Sequence, residues 1–172
     1  ELRLESLRGV GLRDPAAILE RLDLLRDSGY LRRVDETGRR RLQTLLPRLL
    51  QAIAGDDHEA IVVSRLLHVI ERIAGRTVYL ALLNENKAAR QRLVELCTQS
   101  QFLADQIAAF PLLLDELLDE RLFESTPTRA ELEHDLRARM AGADAADPER
   151  QVDLLRQFQR AAVFRVAVPD LT

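Results

Sequence analysis

The sequence is poor in the residues on which several protein classes depend. Its 172 residues include one cysteine, one methionine, no tryptophan, seven glycines and six prolines. Glycine and proline are too few for a loop-rich β protein, and no apolar run approaches the ~18 residues of a membrane span. A chain of this length can bury roughly 70% of its unfolded surface in a core, so it needs no disulfide or metal to fold.

Lysine is nearly absent, and the charge balance is slightly acidic. Of the 25 basic residues only Lys87 is a lysine, and the acidic residues number 28, which gives a net charge of −3. A nucleic-acid-binding protein usually has a basic excess on one face, so neither this role nor a helix-turn-helix regulator is favoured. The single cysteine, Cys97, lies in an amphipathic run, where we expect it to be buried and reduced. These features favour a cytoplasmic protein that binds neither nucleic acid nor membrane.

Apolar residues recur at helical spacing through most of the chain. Residues 42–53 show this spacing most clearly, at Leu42, Leu45, Leu46, Leu49, Leu50 and Ile53. The pattern predicts an all-α fold, a bundle of short and medium helices with no sheet. Residues 77–83 are apolar nearly all round, so we expect that helix at the centre of the core.

Several residues predict where helices begin or stop. Pro47 removes a backbone hydrogen bond and crowds the preceding turn, so we expect a kink or a break near Leu46. Pro169 is expected to end the last helix at Val168 for the same reason. Side chains suited to capping a helix start stand at Asp14 before Pro15, at Asn86, at Ser100, at Asp147 before Pro148, and at Thr128 with Glu131 three residues on.

The last helix, predicted from Pro148 to Val168, changes character along its length. Its first half is amphipathic through Val152, Leu155 and Phe158, whereas residues 161–168 are apolar on nearly every side. A terminal helix of this kind must be covered by something, and the expected cover is a domain beyond this chain. The candidate contact residues are Phe158, Phe164 and Arg165. The chain also begins without a methionine, and we expect it to be a piece of a longer protein.

The sequence carries no pattern that supports catalysis. It lacks the glycine-rich phosphate loops and the nucleophile elbow, and its three histidines are far apart. The acidic pairs at 115–116 and 119–120 have the spacing of metal ligands, but the exposed face of a helix explains them better. Residues Arg39, Arg40 and Arg41 point about 100° apart on a helix and cannot converge on one phosphate. We therefore predict no catalytic, cofactor-binding or metal-binding residue.

Several segments of the sequence resemble one bacterial enzyme family. The central ones are Tyr79–Asn86 (YLALLNEN), Arg92–Cys97 (RLVELC) and Pro111–Asp119 (PLLLDELLD). Further matches are Asp14–Ala17, Leu45–Leu50, Asp147–Gln151, Leu155–Phe158, Arg165–Ala167 and Asp170–Leu171. In this order they resemble the glutamine synthetase adenylyltransferases, which are bifunctional adenylyltransferase and deadenylylase enzymes. The chain departs from the family at Phe110, Lys87, Gln159 and the pair Val168–Pro169.

The resemblance implies a function for the whole enzyme rather than for this chain. Such an enzyme transfers AMP from ATP to a tyrosine of glutamine synthetase, removes it by phosphorolysis, uses Mg²⁺, and responds to the PII signalling protein. Its nucleotidyltransferase motifs would follow Thr172, so we expect a non-catalytic helical portion. The alternative is a free-standing helical adaptor that binds a partner helix in an apolar groove.

The resemblance also implies a division of the chain. Residues 1–55 would form an interdomain helical segment, and residues 56–140 the helical core region at the front of the adenylylating half. Residues 141–147 would be a linker of small residues. Residues 148–172 would form a long helix that leads into the nucleotidyltransferase domain.

Overall fold

The structure, a computed structural model, describes residues 9–32, 34–141 and 147–171, with the backbone only at Tyr30. These ranges contain nine α-helices, two 3₁₀ helices and no strand, which confirms the predicted all-α fold. The α-helices are α1 (Pro15–Asp27), α2 (Gly29–Arg32), α3 (Glu36–Ile53), α4 (Glu59–Ile73), α5 (Thr77–Glu85), α6 (Lys87–Gln99), α7 (Gln101–Ala109), α8 (Arg129–Ala141) and α9 (Pro148–Leu171). The 3₁₀ helices are η1 (Pro111–Leu118) and η2 (Glu120–Phe123).

The chain divides into two compact units, residues 1–118 and 119–172. The first unit contains α1 to α7 and η1, and the second contains η2, α8 and α9. The division predicted from the sequence, with boundaries after residue 55 and around residues 141–147, stays a prediction. Residues 142–146 of the predicted linker lie outside the described residues.

Helix α4 is the centre of the first unit, because it packs against α1, α3, α6 and α7. Its buried apolar side chains are Val62, Val63, Leu66, Leu67, Val69, Ile70 and Ile73. The prediction that residues 77–83 lie at the centre is wrong, since Val78 of α5 is 73% exposed while Tyr79, Leu80 and Leu83 are buried. An apolar residue on every side of a short helix does not specify which side another helix will cover.

The predicted helix starts are confirmed at Asp14, Asn86, Ser100 and Thr128. The Asp14 carboxylate accepts from the Ala17 amide at 3.1 Å, the Asn86 side chain from Ala89 at 2.9 Å, and the Ser100 hydroxyl from Leu103 at 3.3 Å. Thr128 and Glu131 form the reciprocal capping box: each side chain accepts from the other residue's amide. Asp147 also accepts from the Arg150 amide at 3.0 Å, ahead of α9. These contacts are local, so their residue types and spacing predict them directly.

The proline predictions need correction at Pro169 and, in part, at Pro47. Helix α3 continues through Pro47, so a break is absent, whereas the kink stays a prediction. Proline removes only its own N–H, and the buried side chains of Leu45, Leu49 and Leu50 keep this part of α3 packed, with α5 as its main contact. Helix α9 likewise includes Pro169 and ends at Leu171 rather than at Val168. Pro111 begins η1, a 3₁₀ helix.

Arginine side chains connect helices of the first unit through main-chain carbonyl groups. Arg65 donates to the carbonyls of Cys97 and Thr98 at 2.8 and 3.1 Å, where the last turn of α6 has no intrahelical donor for them. Arg92 donates to Leu117 O in the last turn of η1 at 2.6 Å. The arginine-rich composition therefore has a structural use, since one guanidinium offers several donors in a fixed fork.

The residues Arg39, Arg40 and Arg41 do not converge, as predicted. Arg39 donates to Val34 O at 3.1 Å, Arg40 pairs with Glu36, and Arg41 donates to Thr77 O at 2.6 Å. Arg39 and Arg40 bond near the start of α3, whereas Arg41 reaches α5.

Cys97 is buried, as predicted, and burial raises the pKa of its thiol to about 12. Among the residues that the structure describes, no helix combines the length and the apolar character that a membrane crossing requires.

Candidate functional site

Helix α9 has a buried face that holds it within the second unit. Ala161, Phe164 and Val168 are each no more than 3% exposed. They lie three and four residues apart, so they share one side of the helix. The helix contacts α8 and η2. The expectation that residues 161–168 lack any cover within this chain is therefore wrong for this face.

The opposite side of α9 is exposed and carries three apolar residues beside the exposed Gln159. Val152, Leu155 and Val163 are 43%, 44% and 52% exposed, and we call these three residues the outer stripe. At 100° per residue they fall within about 80° of one another, centred roughly opposite the buried face. A helix that is apolar on both sides has one side available for a further partner.

An ion-pair network fixes α9 against α8. Asp135 of α8 accepts from Arg165 of α9 through one carboxylate oxygen, at 2.8 Å, and from Arg139 through the other, at 2.9 Å. Burial alone would raise the pKa of Asp135, but the hydrogen bonds and charges of Arg139 and Arg165 outweigh it, so the pKa is lowered. The side chains are only 17–32% exposed, so solvent screens these pairs less than it does an exposed pair.

The three contact residues predicted from the sequence occupy different positions. Phe164 is buried, Arg165 is engaged by Asp135, and Phe158 is half-buried. Their contact with a further domain stays a prediction. The sequence-based prediction is an amphipathic first half through Val152, Leu155 and Phe158, and it does not group Val152 and Leu155 with Val163 as one exposed stripe. Their spacing from Val163 was the available signal.

The acidic pairs at 115–116 and 119–120, which have metal-ligand spacing, do not lie in an α-helix. Asp115 and Glu116 lie in η1, Glu120 begins η2, and Asp119 lies between the two 3₁₀ helices. Burial raises the pKa of Asp115. The Arg121 amide, which donates to Asp119 at 2.9 Å, lowers the pKa of Asp119. Within the described ranges, no three His, Cys, Asp or Glu side chains come close enough together to hold a metal ion. His58, His68 and His134 are exposed.

A groove of about 600 Å³ lies between α1, α2 and α3 in the first unit. Its floor includes the buried leucines Leu22, Leu25 and Leu42. Arginines predominate among its charged residues, which are Asp23, Arg26, Arg32 and Arg39. The volume lies within the range of small-molecule pockets, and the lining suits an apolar group with an acidic flank.

The chain is similar to one group of characterised proteins. A family model described as glutamate-ammonia ligase adenylyltransferase matches residues 90–172. The bifunctional glutamine synthetase adenylyltransferase/adenylyl-removing enzyme of Pseudomonas putida is 42% identical over 167 residues, which are 97% of this chain and 17% of that protein. The enzymes of the same name from Pseudomonas aeruginosa and Nitrosococcus oceani are 39% and 37% identical over 96% and 100% of this chain, or 17% and 18% of their own lengths.

The similarity covers nearly the whole chain but only a small part of each relative. Both compact units lie within the matched region, since the alignment with the Nitrosococcus oceani relative includes all 172 residues. The chain spans about 17% of the length of the first relatives it matches. It belongs to the family of bifunctional glutamine synthetase adenylyltransferase/adenylyl-removing enzymes.

Proposed function

We propose that this chain is the non-catalytic helical portion of an enzyme that transfers AMP from ATP to a tyrosine of glutamine synthetase and removes it by phosphorolysis. The observation that carries the activity is the 42% identity, over 97% of the chain, to a relative named for adenylyl transfer and removal. ATP and Mg²⁺ would be bound by a catalytic domain and not by residues of this chain. Glutamine synthetase and the PII signalling protein are the proposed partners of the whole enzyme, in the cytoplasm.

The outer stripe supports a positioning role for these helices. Val152 and Val163 are eleven residues apart, about 16 Å along α9. The ion pairs of Asp135 and the buried Phe164 fix the other side of α9 within the second unit. The outer stripe therefore lies on a helix whose orientation in that unit is fixed. A catalytic domain seated on the stripe would be oriented by α9. Phe158, which is half-buried, could contribute to that contact.

The experiment is a replacement of the matched segment in the Pseudomonas putida relative by residues 1–172. Glutamine synthetase is incubated with ATP and Mg²⁺ and its intact mass is measured. We expect an AMP adduct with the hybrid enzyme and none with the 172-residue chain alone. Adduct formation by the chain alone would contradict the non-catalytic role. A folded hybrid that forms no adduct, beside an active relative, would contradict the equivalence of the segments.

The role of the outer stripe is tested in the same hybrid. Val163→Glu places a charge in the stripe, and we expect at least a tenfold loss of adenylylation. Gln157→Glu introduces the same charge at an exposed position outside the stripe and serves as the matched control. The isolated chain with Val163→Glu should keep the thermal unfolding midpoint of the original chain. An unchanged midpoint would show that the loss of activity in the hybrid comes from lost docking and not from unfolding. Equal activity of the two variants would remove the support for docking at the stripe.

The groove between α1, α2 and α3 favours a second candidate, a helical adaptor. An acidic amphipathic helix fits its leucine floor and its arginines. Fluorescence anisotropy with such a peptide and the 172-residue chain tests this function. Saturable binding that Arg32→Glu, at an exposed position of the same groove, abolishes would support the adaptor, and no binding by the folded chain would dismiss it.

A further inference from the structure

Two arginines from different helices meet on one main-chain oxygen at the end of α5. Arg48 of α3 donates through Nη1 to Asn84 O at 2.9 Å. Arg90 of α6 donates through Nη1 to Asn84 O and to Leu83 O, each at 2.8 Å. The two nitrogens that share Asn84 O are therefore no more than 5.7 Å apart, which is the sum of their distances to that oxygen. We call Arg48 and Arg90 the arginine pair.

The arginine pair carries a charge that no carboxylate of the described residues neutralises. In the part of the chain that the structure describes, neither guanidinium forms an ion pair, and Glu85, which follows Asn84, forms none either. The carbonyl end of α5 supplies about −0.5 charge against the two cations, which leaves about +1.5. Burial, and after it the nearby charge of Arg48, lower the pKa of Arg90. The pair is thus a concentrated positive charge on the protein.

The start of α6 adds further donors beside the pair. Helix α6 begins at Lys87, and the Asn86 side chain caps it by accepting from the Ala89 amide at 2.9 Å. The first amides of a helix have no intrahelical acceptor, and the N-terminus carries about +0.5 charge. Lys87 is three residues before Arg90, on the same side of α6. It is the one lysine of the sequence and it is exposed.

We propose that Arg48, Arg90 and the first turn of α6 bind a phosphate group. A phosphate carries a charge of about −1.5 to −2, which matches the excess positive charge of the pair better than the single charge of a carboxylate. Guanidinium forks bind phosphate oxygens through paired N–H groups, and helix N-termini bind the same anion. Each guanidinium uses Nη1 for its carbonyl bonds and keeps N–H donors on its other nitrogens.

Inorganic phosphate and the phosphate of a nucleotide are two sources of this ligand. In both cases the anion would connect α3 to the junction between α5 and α6, because Arg48 belongs to α3 and Arg90 to α6. Phosphate would therefore stabilise the first unit by binding its folded form. This inference does not depend on the proposed enzyme function.

Arg21 provides a matched control for the arginine pair. It too donates to a main-chain carbonyl of another helix, Ala60 O, but no second arginine among the described residues donates to that oxygen. If the arginines only cap carbonyls, Arg21→Gln and Arg48→Gln should have similar effects on phosphate binding. If the pair is a binding site, only changes in the pair should affect it. Arg48 is exposed and its side chain forms one hydrogen bond with the residues that the structure describes, so Arg48→Gln is expected to fold.

The test is a titration of the 172-residue chain with inorganic phosphate, and separately with AMP, at constant ionic strength set with chloride. The backbone amide resonances of Lys87 and Ala88 report occupancy. We expect saturable shifts that Arg48→Gln weakens at least tenfold in affinity, while Arg21→Gln stays within about twofold of the original. Arg90→Gln should repeat the loss, and if it fails to fold, Arg48→Gln decides alone. Saturation by either ligand supports the site, and the ligand that saturates at the lower concentration identifies the source as inorganic phosphate or as the phosphate of a nucleotide.

Two results would overturn the proposal. One is the absence of saturable shifts at Lys87 and Ala88 with either ligand. The other is equal weakening by Arg48→Gln and Arg21→Gln, which would attribute the effect to net charge alone.

Discussion

Arg165 of α9 donates to Asp135 of α8 at 2.8 Å, across thirty residues of sequence. The second oxygen of Asp135 accepts from Arg139, one helical turn further along α8. One carboxylate thus serves two guanidinium groups, and it connects the last helix to its neighbour. This network, together with the buried Phe164, determines which side of α9 faces inward and which side carries the outer stripe.

Replacement of Asp135 by Asn should destabilise the second unit in a pH-dependent way. The pKa of Asp135 is lower in the folded chain, so its ionised form adds stability above the unfolded pKa of about 3.9. This contribution disappears as the pH falls through the lower folded value. We expect Asp135→Asn to be about 1–2 kcal/mol less stable at pH 7, with a smaller difference near pH 3. Urea unfolding at pH 7 and at pH 3, followed by circular dichroism, measures the difference in unfolding free energy between the variant and the original chain. The same difference at both pH values would contradict the ion-pair explanation.

Arg65→Lys should destabilise the first unit although it keeps the charge. Arg65 binds three acceptors, Gln101 Oε1 and the carbonyls of Cys97 and Thr98, from two of its nitrogens. An ammonium group cannot reproduce that fork, so we expect a loss of about 1–2 kcal/mol in urea unfolding. Arg40→Lys is the control, because Arg40 and its partner Glu36 are both more than 70% exposed. It should change the unfolding free energy by less than about 0.5 kcal/mol. Equal losses would show that the fork geometry is unimportant.

The sequence predicted interactions that depend on neighbouring residues and missed those between distant ones. The Asp14, Asn86, Ser100 and Thr128 caps use atoms within three residues, so residue type and spacing suffice. The carbonyl bonds of Arg48 and Arg92 join residues 36 and 25 positions apart, and no periodicity records them. The break expected at Pro47 failed for the same reason, because packing of α3 against α5 is not visible in local propensity.

The apolar faces of α9 were predictable only in part. Their spacing shows that residues 161–168 carry apolar groups on more than one side, as the buried Phe164 and the exposed Val163 confirm. The sequence does not state which side the chain itself covers. Phe164 was expected to be an uncovered contact, and α9 instead buries it with Ala161 and Val168. Val163, one residue earlier, is the exposed one.

Gly38→Ala should be destabilising even though alanine favours helices. Gly38 is buried in the first turn of α3, and an added Cβ would lie 2.5 Å from Val34 Cγ1 and 3.0 Å from Asp35 Oδ1. Val34 is buried and β-branched, so its side chain cannot easily move away. We expect a loss of about 1–3 kcal/mol in thermal or urea unfolding. Gly75→Ala, where a Cβ meets nothing within 4 Å, should be nearly neutral. A neutral Gly38→Ala would show that the first turn of α3 adjusts.

Phe164 and Val163 are adjacent in sequence, but truncation to alanine should strongly lower stability at Phe164 and hardly change it at Val163. Phe164 is 2% exposed, and Phe164→Ala would leave a cavity that costs about 3–5 kcal/mol. Val163 is 52% exposed, and Val163→Ala removes little buried surface while improving helix propensity, so it should stay within about 0.5 kcal/mol. Hydrogen exchange of α8 and α9 amides locates the effect, because loss of Phe164 should lower protection in the second unit first. Similar exchange in both variants would mean that the burial of Phe164 does not stabilise α9, and the positioning role proposed for the outer stripe would lose its structural support.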